Sequence, residues 1–514
     1  MIRLPAHITA LLSNRTAWLI GGLAMLVGGL SFSGVQAQTN PMYYDYSYNH
    51  LDWFTIESEH FMVHFQEGSD RSAQVVSRIA EEIYGPITEL YDHQPDEKVS
   101  IVLKDREDYS NGAAYFFDNK IDIWVPALDA PLRGTHRWMR NVIAHEFTHI
   151  IQIQTGLKRE RRTPAVYLQW LSYEKVRRPD VLYGFPNGIA SLPFASLNIP
   201  AWLAEGTAQF QRADLDYDQW DSHRDMVLRN RVLSDTYFSL PEMGTFASKT
   251  SIERETVYNQ GFAFTQYMAD RFGESVLKDI SQALGQDQVF DVAEAIEIAT
   301  GLPGEQVFEE WIQELKTGYK RVQDGVENSV WAQDSASVVA VEPEGFFNFY
   351  PRIHQASGTL AYLSNRGRAT SWVSLYTTSL DSLSLMDPKQ ALGSEPQRRS
   401  ALGDQPLYSP PIAGHAHMHE QEPAIKYINT AFDWSPDGNY LVYSVNKRNH
   451  YGEDYRDLFI YDLANEEDIR LTESARLESP SWHPGSQGLA AIQQNNGTQQ
   501  LVWSSLPATS QLSE

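Results

Sequence analysis

The sequence predicts an α+β domain followed by an all-β repeat domain, and three observations carry that expectation. From 51 to 323, apolar residues fall mostly at the 3.6-residue period of amphipathic helices, with short alternating or continuous apolar runs between them. At 324–342 a polar stretch ends the helical pattern, and from 343 to 514 turn residues repeatedly introduce short apolar strands. A chain of 514 residues, 42% hydrophobic and 12% aromatic, is long enough to bury more than one core.

Met1–Ala37 is set apart as a targeting segment. Arg3 and Arg15 give it a positive start, Ala17–Leu30 is an uncharged apolar core, and Val35-Gln36-Ala37 presents small residues to an export peptidase, so the mature chain is expected to begin at Gln38. The apolar core falls short of the ~20 residues a span requires, and no later stretch is long enough, so no membrane span is expected after cleavage. With no cysteine, the exported protein has neither a disulfide nor a lipid attachment site and depends on core packing. A formal charge of −25 argues against nucleic acid or an anionic lipid surface as partner.

A Tyr-rich linker at 38–50 leads into Phe54, Ile56, Phe61, Val63 and Phe65, whose alternation predicts a strand or hairpin. Ala73–Tyr91 carries Val76, Ile79, Ile83, Ile87 and Leu90 at helical spacing, with a kink or break expected at Pro86. Val99–Leu103 and, after the Asn111-Gly112 turn, Ile121–Val125 read as strands. Asn141–His149 then reads H-E-x-x-H inside an apolar run that continues through Ile150, Ile151 and Ile153 to Gly156, which predicts a helix from about Arg137 to Thr155. Positions four apart share a helix face, so His145 and His149 can reach one metal ion, zinc for this motif, at about 2.0–2.1 Å. Glu146 lies beside that ion, able to take a proton from an activated water. The motif alone also fits an ordinary amphipathic helix bearing two histidines. Glu205, a lone charge in the apolar, small-residue segment Pro200–Ala208, is the candidate third ligand.

His145-Glu146-Phe147-Thr148-His149 and Trp202-Leu203-Ala204-Glu205-Gly206-Thr207-Ala208 together resemble the gluzincins of the zinc-peptidase MA clan, over roughly Trp53–Lys320. The resemblance implies a zincin-like metallopeptidase domain at 51–323, Zn2+ held by His145, His149 and Glu205, Glu146 as general base, and a peptide or protein substrate. It implies a hydroxyl near the scissile carbonyl in some members, for which Tyr258 is the candidate, with His223 competing and ring packing the ordinary role of such a tyrosine. A strand ahead of the zinc helix pairs with substrate backbone in such enzymes, which makes Ile121–Val125 either a substrate edge or an edge strand without ligand. Two features depart from the best-known members. Residues 150–204 form a much longer spacer, in which 157–198 read as an inserted surface loop with a basic start, and the position four residues after Glu205 is Gln209 instead of a carboxylate. The partner that would orient a zinc histidine is therefore unidentified. Later helices are expected from Val257 to near Gly273, around Leu277, Ile280 and Leu284, and around Phe308, Trp311, Ile312 and Leu315.

Beyond the linker at 324–342, three units repeat a turn and a short apolar strand: Asn348–Gly367, Trp434–Ser444 continuing through Asp457–Leu463, and Ser481–Ile492. With Ser435-Pro436-Asp437-Gly438 clearest in the second, they resemble TolB-like β-propeller blades. Closed propellers need at least about four blades, so about three imply an incomplete propeller whose open edge is available to another chain, such as an envelope protein. His415, His417 and His419 alternate in a Ser/Pro-rich insertion, able to share a strand face and a metal or to form a solvated loop. The combined expectation is an exported, periplasmic or extracellular zinc-dependent metallopeptidase. The alternative is a cell-envelope binding or scaffold protein acting through its repeats, with an inactive or structural zinc domain.

Overall fold

A computed structural model of the chain describes residues 51–127, 137–162, 167–173, 186–193, 199–210, 218–247, 249–328, 348–365, 373–380, 425, 428, 430–485 and 488–506. The expected targeting segment and first linker, residues 329–342, and His415, His417 and His419 lie outside these residues.

β1 (Trp53–Glu57) and β2 (Phe61–Gln66) form the expected hairpin. α1 (Asp70–Tyr91) buries Val76, Ile79, Ile83 and Ile87 as their spacing predicts, but it runs unbroken through Pro86. Gly85 offers no Cβ to the proline ring, and the residue four before Pro86 is the exposed Glu82. β3 (Val99–Lys104), β4 (Gly112–Tyr115) and β5 (Lys120–Trp124) complete a five-stranded sheet in the order β1-β2-β3-β5-β4. Its three central strands are parallel and both outer strands antiparallel to their neighbours. In β3 the buried residues Val99, Ile101 and Leu103 alternate with half-buried ones, the pattern of a sheet covered on one face. The cover is α1 together with α2 (Trp138–Thr155), joined by Phe147, whose ring lies 5.2 Å from that of Phe61 and 5.7 Å from that of Tyr84.

This sheet corrects one expectation. The strand at Ile121–Val125 is no edge: β5 is paired with β3 on one side and β4 on the other. The edge is β4, Gly-Ala-Ala-Tyr, which has no β-branched residue and reads in sequence as the tail of the Asn111-Gly112 turn. The spacer is also more ordered than a loop, since β6 (Tyr167–Tyr173) and β7 (Pro186–Pro193) pair antiparallel. Its basic start is tied to the domain. Lys158 Nζ donates to the Leu284 and Val289 carbonyls, Arg159 pairs with Asp287, and Arg161 pairs with Asp96.

Six helices complete the same core: α3 (Ala201–Gln209), α4 (Ser222–Leu233), α5 (Ser251–Phe272), α6 (Ser275–Leu284), α7 (Val292–Thr300) and α8 (Gly304–Glu327). α5 starts at Ser251 and not at Val257. Thr250 Oγ1 accepts from the Glu253 amide while the Glu253 carboxylate accepts from the Thr250 amide, a reciprocal cap that fixes the start.

Among the described residues three antiparallel sheets follow, one at each repeat unit read in the sequence. They are β8 (Asn348–His354), β9 (Thr359–Ser364) and β10 (Ser374–Ser379); β11 (Asp433–Trp434), β12 (Tyr440–Arg448), β13 (Asp454–Asp462) and β14 (Glu467–Arg470); and β15 (Leu477–Trp482), β16 (Gly488–Asn495) and β17 (Thr498–Ser505). In the turn before β12, Ser435 Oγ donates to Asp437 Oδ1 at 2.6 Å, Ser435 Oγ accepts from the Tyr440 amide, and Gly438 takes a φ of 74°. Leu441 and Tyr443 pack with Leu363 and Leu375 of the first sheet, whereas Val442 packs with Trp482 and Leu489 of the third. Alternate residues of β12 thus face opposite neighbours. Leu501 and Trp503 on β17 are exposed. No described helix is long and apolar enough to cross a membrane.

Candidate metal centre

α2 is buried nearly all round, with Val142, Ile143, Phe147, Ile150 and Ile151 in the core. Both ends are fastened: Trp138 Nε1 donates to the Trp124 carbonyl at 3.1 Å, and Gln154 Nε2 donates to Asn119 Oδ1 and the Phe116 carbonyl, each at 2.6 Å. The helix therefore cannot roll, and its polar stripe, His145, Glu146 and His149, faces a cleft of about 460 Å³. α3 brings the third residue. Trp202 and Leu203 are fully buried, and α3 touches α5 backbone to backbone: a Cβ on Gly206 would lie 2.6 Å from the Gly261 carbonyl oxygen, and one on Gly261 would lie 2.6 Å from that of Trp202. This close approach, possible only with glycine at both places, sets the rotation of α3 and aims Glu205 at α2.

His145 Nε2 and His149 Nε2 are 3.1 Å apart, and Glu205 Oε2 lies 3.2 Å from the first and 3.4 Å from the second. All three side chains are largely buried. Tetrahedral coordination with bonds of about 2.0–2.1 Å spaces its donors by roughly 3.3 Å, so the triangle fits one ion, and two imidazoles with a carboxylate are a suitable donor set. Among the described residues these are the three whose ligand atoms cluster closely enough to hold a metal. Glu146 is outside the triangle. Its buried carboxylate accepts a hydrogen bond from the Ala114 amide on β4, and Gly112 passes so close that a Cβ there would lie 2.7 Å from Glu146 Cγ. Burial pushes the Glu146 carboxyl above its ordinary value, against the pull of His145 and His149. Burial acts to raise Glu205 as well, but the two imidazoles hold it well below the usual carboxylate range. His149 is drawn down by burial and more strongly up by Glu205, and stands above the ordinary imidazole value.

No protein-family model matches the chain. No curated protein matches it. Among solved structures, the chain is weakly similar to Legionella pneumophila aminopeptidase A in complex with aspartic acid, at 11% identity and a TM-score of 0.28, covering 64% of this chain and 31% of that one. A likeness at that level carries no functional weight, which rests on the residues of the cleft.

The cleft gathers most of the residues singled out in the sequence. His145, Glu146, His149, Glu205 and Tyr258 all line it. Tyr258 lies well inside α5, its ring stacked on Phe246 at 5.4 Å. His223, the competing candidate, is exposed in the first turn of α4, where Asp221 accepts from its amide as the helix cap, and is not among the lining residues. Gln209 is buried, yet among the described residues its Oε1 has no hydrogen-bond partner, and neither has His149 Nδ1, so Gln209 does not replace the missing carboxylate. Sequence reading missed the contribution of β4, through Gly112 and Ala114, and that of Glu255, which lines the cleft one helical turn before Tyr258. The signal for Glu255 was present in Thr250-Ser251-Ile252-Glu253, whose capping spacing places 255 and 258 on one helix.

Proposed function

We propose that the chain is a zinc-dependent peptide hydrolase of gluzincin type, exported to the periplasm or beyond. The observation that carries this reading is a His-His-Glu donor triangle with 3.1–3.4 Å edges beside a buried carboxylate that is not one of its corners. A purely structural metal site has no use for Glu146. Held by His145, His149 and Glu205, zinc would supply Lewis acidity toward a carbonyl and acidify water at neutral pH. The chain's own residues do the rest. Glu146, its carboxyl raised by burial and oriented by the Ala114 amide, takes a proton from the attacking water and delivers it to the departing amine. β4, one of the two outer strands of its sheet, lines the cleft and is the edge on which an extended peptide would add as a further strand. Tyr258 is the candidate hydroxyl donor to the developing oxyanion.

The three C-terminal sheets among the described residues are read as blades of a TolB-like propeller. The exposed Leu501 and Trp503 on β17 favour a secondary role in binding an envelope protein. The mature chain, assayed on a quenched peptide library, is expected to bind about one zinc, to hydrolyse peptide bonds, to lose activity to a chelator and to regain it with zinc. Full zinc occupancy without hydrolysis, or hydrolysis indifferent to chelation, sinks the reading.

The geometry around Gly112 gives a second test. A Cβ there meets Val142 Cγ2 at 2.6 Å and crowds the Glu146 carboxylate. Gly112→Ala is expected to keep zinc and lower kcat by about ten- to a hundredfold, the cost of a displaced catalytic group. Unchanged kcat would mean that the carboxylate relaxes without consequence.

A further inference from the structure

The loop that feeds β4 is held by the C-terminal sheets. Between β3 and β4, Asp105 and Asp108 are almost fully buried, and Arg476, at the entry to β15, bridges them: Nε donates to Asp108 Oδ1 and Nη2 to Asp105 Oδ1, both at 2.8 Å. The Arg476 guanidinium also lies over the Tyr455 ring at 4.8 Å. Asp108 Oδ2 accepts from the Arg456 amide at 2.9 Å. The backbones pair as well, with Asp108 donating to the Asp454 carbonyl at 2.7 Å and Asp454 to that of Arg106 at 2.9 Å, so that Glu107 and Asp454 form a parallel bridge. The loop is thus tied to the start of β13 by one isolated bridge. Residues 105–111 lead directly into Gly112 and Ala114, which confine and orient Glu146. Trp124, in β5, fixes the same loop by donating Nε1 to Glu107 and its amide to the Asn111 carbonyl.

We propose that Arg476 is a positioning residue for Glu146, acting through the Asp105/Asp108 loop and β4, so that the C-terminal sheets set the geometry of the cleft. This rests on the reading of Glu146 as general base. Removing the guanidinium takes away the cation bonded to both buried carboxylates and leaves Asp105 only the weaker pull of Arg106, itself paired with Glu453, so the closed position of the loop is destabilised. No other described basic side chain is bonded to both.

The test uses the full mature chain with Arg476→Met and, as a milder change that keeps the arginine on Asp108, Asp105→Asn. Zinc content, amide hydrogen exchange, kcat and KM are measured together. Arg476→Met is expected to retain zinc, to speed exchange at Gly112–Tyr115 by about tenfold or more while α5 stays protected, and to lower kcat by about ten- to a hundredfold with a smaller change in KM. Asp105→Asn should move the same quantities less. Unchanged exchange at Gly112–Tyr115, a uniform rise over the whole chain, or faster exchange with unchanged kcat overturns the proposal. Selective loosening of β4 in a protein whose wild type hydrolyses no peptide would support the coupling and overturn the peptidase reading instead.

Discussion

Glu146→Gln is expected to bind zinc like the wild type and to hydrolyse peptides 10²–10⁴-fold more slowly, the usual contribution of a general base. Glutamine has nearly the same shape, can still accept from the Ala114 amide, and fits between Gly112 and Val142 without a new cavity. What it lacks is a basic oxygen. The loss corresponds to about 3–5 kcal/mol of transition-state stabilisation and should fall on kcat, with KM little changed, because Glu146 moves protons during the chemical step and does not bind the peptide in the ground state. Single-turnover kinetics with metal analysis on the same sample measure both halves of the prediction. A rate within a factor of about two of wild type would remove Glu146 from the mechanism.

Glu205→Ala is expected to lose the metal itself. Glu205 supplies one corner of the donor triangle, and without it two imidazole nitrogens 3.1 Å apart are left to hold an ion. Dialysed protein should contain little zinc and have no measurable activity, with partial recovery only at high added zinc. Glu205→Ala that keeps stoichiometric zinc through dialysis would show that another residue completes the site. The two variants are informative as a pair, since one empties the site and the other leaves it filled but idle.

The parts of this site that were legible in the sequence are those whose signal is local. His145 and His149 four apart in an apolar run announce one face of one helix, and Glu205 stands out as a charge with no reason to sit between Trp202 and Gly206. β4 was illegible because Gly-Ala-Ala-Tyr has Tyr115 as its single strand-favouring residue and is an edge by virtue of its neighbours. Pro86 does not break its helix, in part because the clash with the preceding residue needs a Cβ there and that residue is Gly85. The hairpin in the spacer was hidden among prolines and glycines whose ordinary meaning is a loop. Nothing in the sequence around Asp105 or Asp108 points to Arg476, for pairings of that range have no period and no motif.

Asp108 and Arg476 are 368 positions apart in the chain. At the usual pace of synthesis, about 5–20 residues per second, the loop before β4 waits roughly 20–70 s after its own appearance before its arginine emerges. The histidines and Glu205 are complete long before that. A nascent chain thus acquires its metal donors early and its fully braced base late, and the contact that closes the interval is among the slowest kinds for a folding chain to find.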